Sequence, residues 1–383
     1  MTFLLFSGIL IFLVNGAVGL DLATGRRSIR RLRDQPADIP ANAPSVSIIV
    51  AARNEERNIR SGLRSLLELD YPRYQVIVVD DRSTDRTGDI LGELAAADPR
   101  LQVIRVDDLP AEWLGKNHAL WLGNRNATGD FLLFTDADIV MNPDTLARAM
   151  SLVHERRLDH LAVSPEVRMP GLFLDMFGTA FMLFFSLYAR PWKAKDPRSR
   201  FHIGIGAFNL VRADAYRRCG GHETIRLRPD DDMKLGKIIK KSGFRQDIAF
   251  GEGLVSVEWY ASVREAVRGL EKNAFAGADY RVSLVTAGIL FYAIFNLWPF
   301  AAAWIASGPA RAVYLGTVFL MLLLFLDIIK GQNKPSWYVI GYPLTVSLFI
   351  YILLRTMSVN LWKGGIRWRE TFYPLRELKR NKI

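Results

Sequence analysis

Residues Thr2 to Leu20 are almost entirely apolar; Asp21 ends the run, and Arg26, Arg27, Arg30, Arg31 and Arg33 follow. A run of this length is enough for a thin membrane span. A cleaved signal peptide has the reverse order, with positive charge before the apolar run and a small-residue cleavage site after it. The order here predicts an uncleaved span with its N-terminus outside and the arginines in the cytosol. This feature also makes sense of the composition. Hydrophobic residues make up 50% of the 383, yet 23% are charged. Both hold together only if the apolar residues are segregated along the chain.

Three later stretches are equally apolar: Leu284 to Ser307, Val313 to Ile329 and Tyr338 to Leu354. Trp298, Trp337 and Tyr338 resemble the aromatic belts found at membrane surfaces. Leu172 to Tyr188 differs. It is rich in Phe, contains Asp175, and precedes Arg190, Trp192, Lys193, Lys195, Arg198 and Arg200. It reads as a helix lying in the membrane interface. One early span and three late ones would put the tail outside. Yet the tail carries Lys363, Arg367, Arg369, Arg376, Lys379, Arg380 and Lys382, a cytosolic pattern. Either one late segment doubles back or Leu172 to Tyr188 crosses.

The resulting organisation is a span at 1–20, a basic linker at 21–44, a soluble domain at 45–281 with the interfacial helix near 171–189, a membrane region at 282–358 and a basic amphipathic tail at 359–383. Lysine and arginine number 50 against 39 acidic residues, a net +11. Such a charge suits a nucleic acid, an anionic membrane or a phosphorylated ligand. The basic residues cluster beside apolar segments and not along a stacking groove, which favours the membrane and argues against nucleic acid. The single cysteine, Cys219, excludes an intramolecular disulfide framework and a multi-cysteine zinc site.

The soluble middle reads as α/β. Val46 to Ala51, Val76 to Val79, Leu101 to Val106 and Phe131 to Thr135 are short apolar runs suited to buried strands. Asn54-Glu55-Glu56 opens a helix with Ile59, Leu63, Leu66 and Leu67 on one face, and Ser83-Thr84-Asp85 can cap the next, with Ile90, Leu91 and Leu94 inward. Strand alternating with helix predicts a mostly parallel sheet with helices on both faces. Ligands of such sheets sit beyond the carboxyl ends of the strands. Asp80, Asp81, Asp136 and Asp138 fall there.

Clustered carboxylates repel one another, and a divalent cation relieves this. Asp136-Ala137-Asp138 therefore suits Mg²⁺ or Mn²⁺ shared with a diphosphate, although many turns contain the same pattern. Asp230-Asp231-Asp232 is either an acidic helix start or the seat of a general base made more basic by like-charged neighbours. Lys116, in Trp113-Leu114-Gly115-Lys116-Asn117, is a surface lysine or a phosphate ligand. His202-Ile203-Gly204-Ile205-Gly206-Ala207-Phe208 offers two glycines for close backbone approach to a ligand, but it is not a dinucleotide fingerprint.

Together these segments resemble the inverting family 2 glycosyltransferases of GT-A fold. Ser47 to Glu55 resembles that family's opening strand and turn, and Val78 to Asp85 its second-strand signature. Asp136-Ala137-Asp138 is similar to its metal-binding Asp-x-Asp. Asp231-Asp232-Met233-Lys234-Leu235 resembles its Glu-Asp-x-x-Leu segment. The membrane layout resembles the integral-membrane branch that includes hopene-associated, carotenoid-type and ceramide glycosyltransferases.

The resemblance implies a nucleotide-diphosphate sugar donor (a UDP-sugar favoured), a lipid or lipid-linked acceptor, a divalent cation, and a cytosolic catalytic domain on the inner membrane. It implies that Ala51, Arg53 and Glu55 line the nucleotide pocket, that Asp81 contacts base or ribose with Asp80 supporting, and that Lys116 sits near the diphosphate. Asp138 would hold the metal, with Asp136 on the sugar or ribose side. Asp232 would be the base and Asp231 the second choice, because Asp stands where the family has Glu. The Gln-x-x-Arg-Trp segment of processive polysaccharide synthases is missing. Lys272 and Asn273 stand in the comparable place and would serve the leaving diphosphate. Ile366-Arg367-Trp368-Arg369 and Tyr373-Pro374 resemble the branch's basic aromatic tail. A processive synthase and a non-catalytic membrane assembly protein are the competing readings.

Overall fold

The structure is a computed structural model and describes residues 2–39, 42–368 and 371–383. Arg369 lies outside the described residues. The chain forms two compact units, each built from segments far apart in sequence. One comprises Ile29–Val167, Pro191–Glu258 and Arg380–Ile383; the other comprises Met1–Ser28, Arg168–Arg190 and Trp259–Lys379.

The first unit is the α/β domain. Among the described residues its main sheet has eight strands, in the order Arg30–Arg31, Gln246–Phe250, His160–Ser164, Asn209–Arg212, Phe131–Asp136, Val46–Ala52, Tyr74–Asp81 and Leu101–Val106. Neighbours run parallel, except that Asn209–Arg212 is antiparallel to both of its partners. Strand alternation explains the two buried layers. Ile48, Val50, Val76, Val78 and Leu133 point to one face, where Ile59 and Leu63 of helix Ile59–Leu67 and Leu91 and Leu94 of helix Thr87–Ala97 cover them. Ile49, Leu132 and Phe134 point to the other, against Leu120 of helix Gly115–Arg125 and Leu235 and Ile238 of helix Asp231–Lys241. Each such side chain, fully buried, contributes about 1.5–3 kcal/mol.

Two local expectations need correction. The first helix starts at Ile59 and not at Asn54. Asn54 adopts φ 54°, a left-handed turn held by Ser83 Oγ on its N–H, 3.0 Å, and by its own Oδ1 on the Thr84 N–H, 2.8 Å. The next helix starts at Thr87 and has no side-chain cap at the residue before it, although Asp85 Oδ1 does accept the Thr87 N–H at 3.0 Å. These polar side chains instead tie the turn after the first strand to the turn after the second.

The second unit is helical. Among the described residues five helical segments, all in this unit except for Pro191–Lys193, are long and apolar enough to cross a membrane: Thr2–Arg27, Leu172–Lys193, Val282–Ile305, Gly308–Gly331 and Ser336–Lys363. Thr2–Arg27 and Gly308–Gly331 run parallel. Ser7 Oγ meets Tyr314 Oη at 3.0 Å near one end, and Arg27 pairs with Asp327 at 3.6 Å near the other. Val282–Ile305 contains a π-turn at Tyr292–Leu297, where Asn296 Oδ1 accepts the Tyr342 hydroxyl at 2.7 Å. Trp298 follows that turn in mid-helix, and Tyr338 is buried with its hydroxyl on Asp175 at 2.8 Å. Trp298 and Trp337 are the exposed rings of the three, at 38% and 50%. Asp175 also pairs with Lys334 at 2.7 Å.

Candidate active site

All candidate residues but two lie in the α/β unit, gathered at the carboxyl end of its sheet. The register sets this up: Ala52 pairs with Asp80, and Ala51 with Asp136. Asp80 and Asp81 are buried. The Asp80 carboxylate accepts the Ser83 N–H at 3.2 Å, which closes the turn below it. Asp81 accepts two bonds from Arg82, at 2.8 and 3.0 Å, and faces Arg53 at 3.8 Å. Its carboxylate is thus held by two arginines. Arg82 does this from a left-handed backbone, φ 59°.

Lys116 is the second residue of helix Gly115–Arg125, not part of a turn before it. Its ammonium lies 2.7 Å from Asp136 Oδ1 and 3.5 Å from Asp231 Oδ1. Burial opposes its charge, but Asp136, Asp231 and Asp232 outweigh burial and hold its pKa above the ordinary lysine value. Asp231 is buried and Asp232 is half-buried. Burial pushes Asp231 up to about 7 against the pull of Lys116, with Asp232, Asp136 and Asp230 adding to the rise. Burial also raises Asp232. Both of its oxygens are anchored: Oδ2 accepts the Gly206 N–H at 2.9 Å, and Oδ1 the Met233 N–H at 2.7 Å.

Asp138 is half-buried. Burial, then the Asp136 and Glu55 carboxylates, push it up to about 7. Here is the carboxylate repulsion that a divalent cation would relieve. Among the described residues no three His, Cys, Asp or Glu side chains gather closely enough to hold a metal by themselves. Asp136 and Asp138 supply the hard carboxylate oxygens that Mg²⁺ or Mn²⁺ prefers.

The two glycines of the 202–208 segment serve the protein's own acids. A Cβ on Gly206 would stand 2.7 Å from Asp136 Oδ2, and one on Gly204 would stand 2.5 Å from the carbonyl carbon of Asp232. Sequence reading assigned this closeness to a ligand. Arg82 and Asn117 are supporting residues that sequence reading did not assign. Asn117 is fully buried, and its Nδ2 donates to Ile225 O at 2.8 Å and to Arg228 O at 3.0 Å. It fastens the Lys116 helix to the segment that leads into the acidic cluster. The signal for Asn117 was its place beside Lys116. His202 is held near 4 by burial, and so is neutral. Cys219 packs against the core with its thiol on Tyr216 O at 3.2 Å.

Lys272 and Asn273 lie in the helical unit, on helix Val263–Gly277. Lys272 Nζ sits 4.3 Å from the centre of the Trp368 ring, a cation–π contact with the tail segment.

Residues 47–220 match the model of glycosyl transferase family 2. The chain carries a family 2 glycosyltransferase domain. The match spans the strand ends that bear Asp80, Asp81, Asp136 and Asp138, together with Lys116. A 4,4'-diaponeurosporenoate glycosyltransferase of Staphylococcus haemolyticus (strain JCSC1435) is 26% identical over 286 residues, 72% of this chain and 71% of that protein. One from Staphylococcus aureus (strain bovine RF122 / ET3-1) is 24% identical over 379 residues, 94% of this chain and 96% of that protein. Among solved structures, the mannosyltransferase PcManGT from Pyrobaculum calidifontis, in complex with GDP-Man and Mn2+, superposes with a TM-score of 0.57 at 21% identity. That alignment covers 94% of this chain and 99% of that one. The sheet and its flanking helices are a GT-A glycosyltransferase fold, and the chain is a glycosyltransferase with carotenoid-type relatives.

Proposed function

We propose that this enzyme is a membrane-bound inverting transferase that moves a sugar from a nucleotide-diphosphate sugar to a hydroxyl of a lipid acceptor. One observation carries the reading. The Lys116 ammonium is bound between Asp136 and Asp231, beside an anchored and half-buried Asp232, at the carboxyl end of the sheet. The carotenoid-type relatives support a lipid acceptor, and the missing Gln-x-x-Arg-Trp segment supports single transfer over polymer synthesis.

In this reading Asp232 accepts the proton of the acceptor hydroxyl, and Asp231, buried against Lys116, does not reach it. The hydroxyl oxygen forms a bond to the anomeric carbon from the face opposite the leaving group. The bond from that carbon to the diphosphate breaks, and its electron pair leaves with the nucleoside diphosphate. The sugar inverts. Lys116 offsets the charge that develops on the leaving group. A divalent cation bound by Asp138, with Asp136 beside it, would supply further charge stabilisation there. Ala51, Arg53 and Glu55 line the donor pocket, and Asp81, with Asp80 behind it, faces base or ribose. Lys272 and Asn273 serve the leaving diphosphate.

The reading also covers the membrane. Leu172–Ala189 stays on the side of the catalytic domain and lies in the interface. Supporting this, His160–Ser164 before it and Asn209–Arg212 after it pair in one sheet, so a crossing would split that sheet across the bilayer. Ser336–Lys363 also returns to that side. Its first half meets Phe325 and Asn296, and its second half meets Glu271 of helix Val263–Gly277, where Asn360 Nδ2 donates to Glu271 O at 3.0 Å. Three crossings remain, and they keep the basic tail cytosolic, at the inner membrane. The test is to incubate membranes holding the enzyme with a panel of labelled nucleotide sugars, UDP-sugars first, with and without Mg²⁺ or Mn²⁺, and to extract the lipids. Cation-dependent label in a lipid supports the reading; label in a long polymer, or in nothing, refutes it.

A further inference from the structure

The segment Thr224–Asp230 leads directly into helix Asp231–Lys241 and so sets where Asp231 and Asp232 stand. It has little regular structure of its own, and its backbone groups are claimed from two directions. From the Lys116 helix, Asn117 Nδ2 binds Ile225 O and Arg228 O, and Leu114 N–H donates to Arg226 O at 2.9 Å. From the other direction comes a side chain more than a hundred and fifty positions away. Asn381 Oδ1 accepts the Leu227 N–H at 3.1 Å, and Asn381 Nδ2 donates to Thr224 O at 2.8 Å. Two residues on, Ile383 packs against the apolar cluster that contains Ile225 and Leu235.

The carboxamide is matched to this task, because one group presents an acceptor and a donor side by side. Leu227 is buried, and a buried N–H left without a partner is costly. Within the same segment the Arg228 guanidinium grips Asp230 at 3.0 and 3.1 Å, and Lys234 adds a bond to Asp230 at 3.3 Å. A contiguous path of bonds thus runs from Asn381 through Leu227 and Arg228 to the start of the helix that bears the acids.

We propose that residues 380–383 act as a strap across the segment before the catalytic acids, with Asn381 as a positioning residue for the transfer reaction. The role in transfer rests on the reading of Asp232 as base; the strap itself does not. Asn381 touches no reacting atom. It fixes the span between the Lys116 helix and the Asp231–Lys241 helix, whose side chains must meet to within hydrogen-bond reach.

The experiment uses the full chain in membranes or detergent, as wild type, Asn381→Ala and Asn381→Asp. Backbone hydrogen exchange is read over residues 224–235 and, as a reference, over Val46–Ala52. Asn381→Ala is expected to speed exchange at Leu227 and through the start of the acidic helix while leaving Val46–Ala52 unchanged. In the transfer assay kcat is expected to fall about ten-fold, with donor KM changed by less than about two-fold, because the loss is one of alignment and not of donor contact. Asn381→Asp keeps the acceptor for Leu227 N–H and is expected to recover part of both. Unchanged exchange in Asn381→Ala overturns the strap. Faster exchange with unchanged kcat overturns the positioning role. If wild type and Asp232→Asn transfer sugar equally, the reading of the base falls instead, and the exchange result still decides the strap.

Discussion

Gly236 sits in the middle of helix Asp231–Lys241, where glycine is a poor choice. Replacing a mid-helix glycine by alanine ordinarily gains up to about 1 kcal/mol. The structure predicts the opposite sign here. A Cβ at 236 would lie 2.5 Å from the carbonyl carbon of Ile203, still closer to its oxygen, and 3.1 Å from Gly204 N. These are backbone atoms, and Ile203 is itself fixed, because its N–H donates to the buried Gln246 side chain at 2.9 Å. Overpacking of this kind costs about 1–3 kcal/mol, and more where the neighbour cannot yield. Gly236→Ala should therefore lose about 2 kcal/mol net, a fall of about 4–8 °C in Tm for a domain of this size. Gly92 is the matched control: mid-helix, exposed, and with nothing within 4 Å of its Cβ. Gly92→Ala should raise Tm by about 2–4 °C. Thermal unfolding of the purified full chain, followed by tryptophan fluorescence, reads both. Transfer by Gly236→Ala should also fall, since the displaced loop carries the Gly206 N–H that anchors Asp232. If Gly236→Ala proves as stable as Gly92→Ala, the close packing of loop on helix is wrong, and the placement of Asp232 goes with it.

The remaining predictions concern charge. Lys116→Met should lower kcat/KM by about 10²–10³, the cost of losing one preorganised charge stabiliser; a fall below ten-fold would contradict its role. Burial holds the folded-state pKa of His160 near 4, with its Nε2 2.5 Å from Asn209 Oδ1. The unfolded chain takes up that proton near 6.5, so stability is full above pH 6.5 and is lost as pH falls towards 4, by up to about 3 kcal/mol. His160→Gln should be less stable at pH 7 but flatter between pH 6.5 and 4; an equally steep denaturation profile would sink the assignment. Asp175→Asn should destabilise the helical unit by about 1–3 kcal/mol through the ammonium of Lys334 that it leaves unpaired. A double-mutant cycle with Lys334→Met should recover at least about 1 kcal/mol as coupling, and full additivity would show that the pair contributes nothing.

The strands were legible because buried parallel strands must be continuously apolar. Val76–Val79 and Phe131–Thr135 could be little else, and an aspartate after such a run marks the strand's carboxyl end. Asp80 and Asp136 were legible for that reason, whereas the acidic triplet stood out only as a run of like charges at a helix start. The antiparallel strand Asn209–Arg212 was not, since four residues give no period, and only pairing on both sides makes it a strand. The supports of the site were hidden too. Gly204 and Gly206 read in sequence as room for a ligand and Gly236 as a plain mid-helix glycine, whereas the missing Cβ at each makes room for the protein's own backbone or, at Gly206, for the Asp136 carboxylate. Arg82 reads as one more surface charge until the turn folds it back on Asp81. Nothing local marks Asn381, whose partners are more than a hundred and fifty residues away. The pairing of His160–Ser164, before Leu172–Ala189, with Asn209–Arg212, after it, was illegible for a related reason: hydropathy measures length and polarity, not which distant strands meet.

The most direct measurement compares sugar transfer by wild type and Asp232→Asn in the same membranes, with labelled nucleotide sugar as donor and label in extracted lipid as the readout. The substitution keeps the size of the side chain and an oxygen for the Gly206 N–H, and it removes the group that takes the proton. The account predicts lipid labelling by wild type and a loss of about 10²–10⁴-fold in Asp232→Asn, as expected for a general base, with both proteins equally stable. Full activity in Asp232→Asn, or no lipid labelled by wild type from any donor, would contradict it.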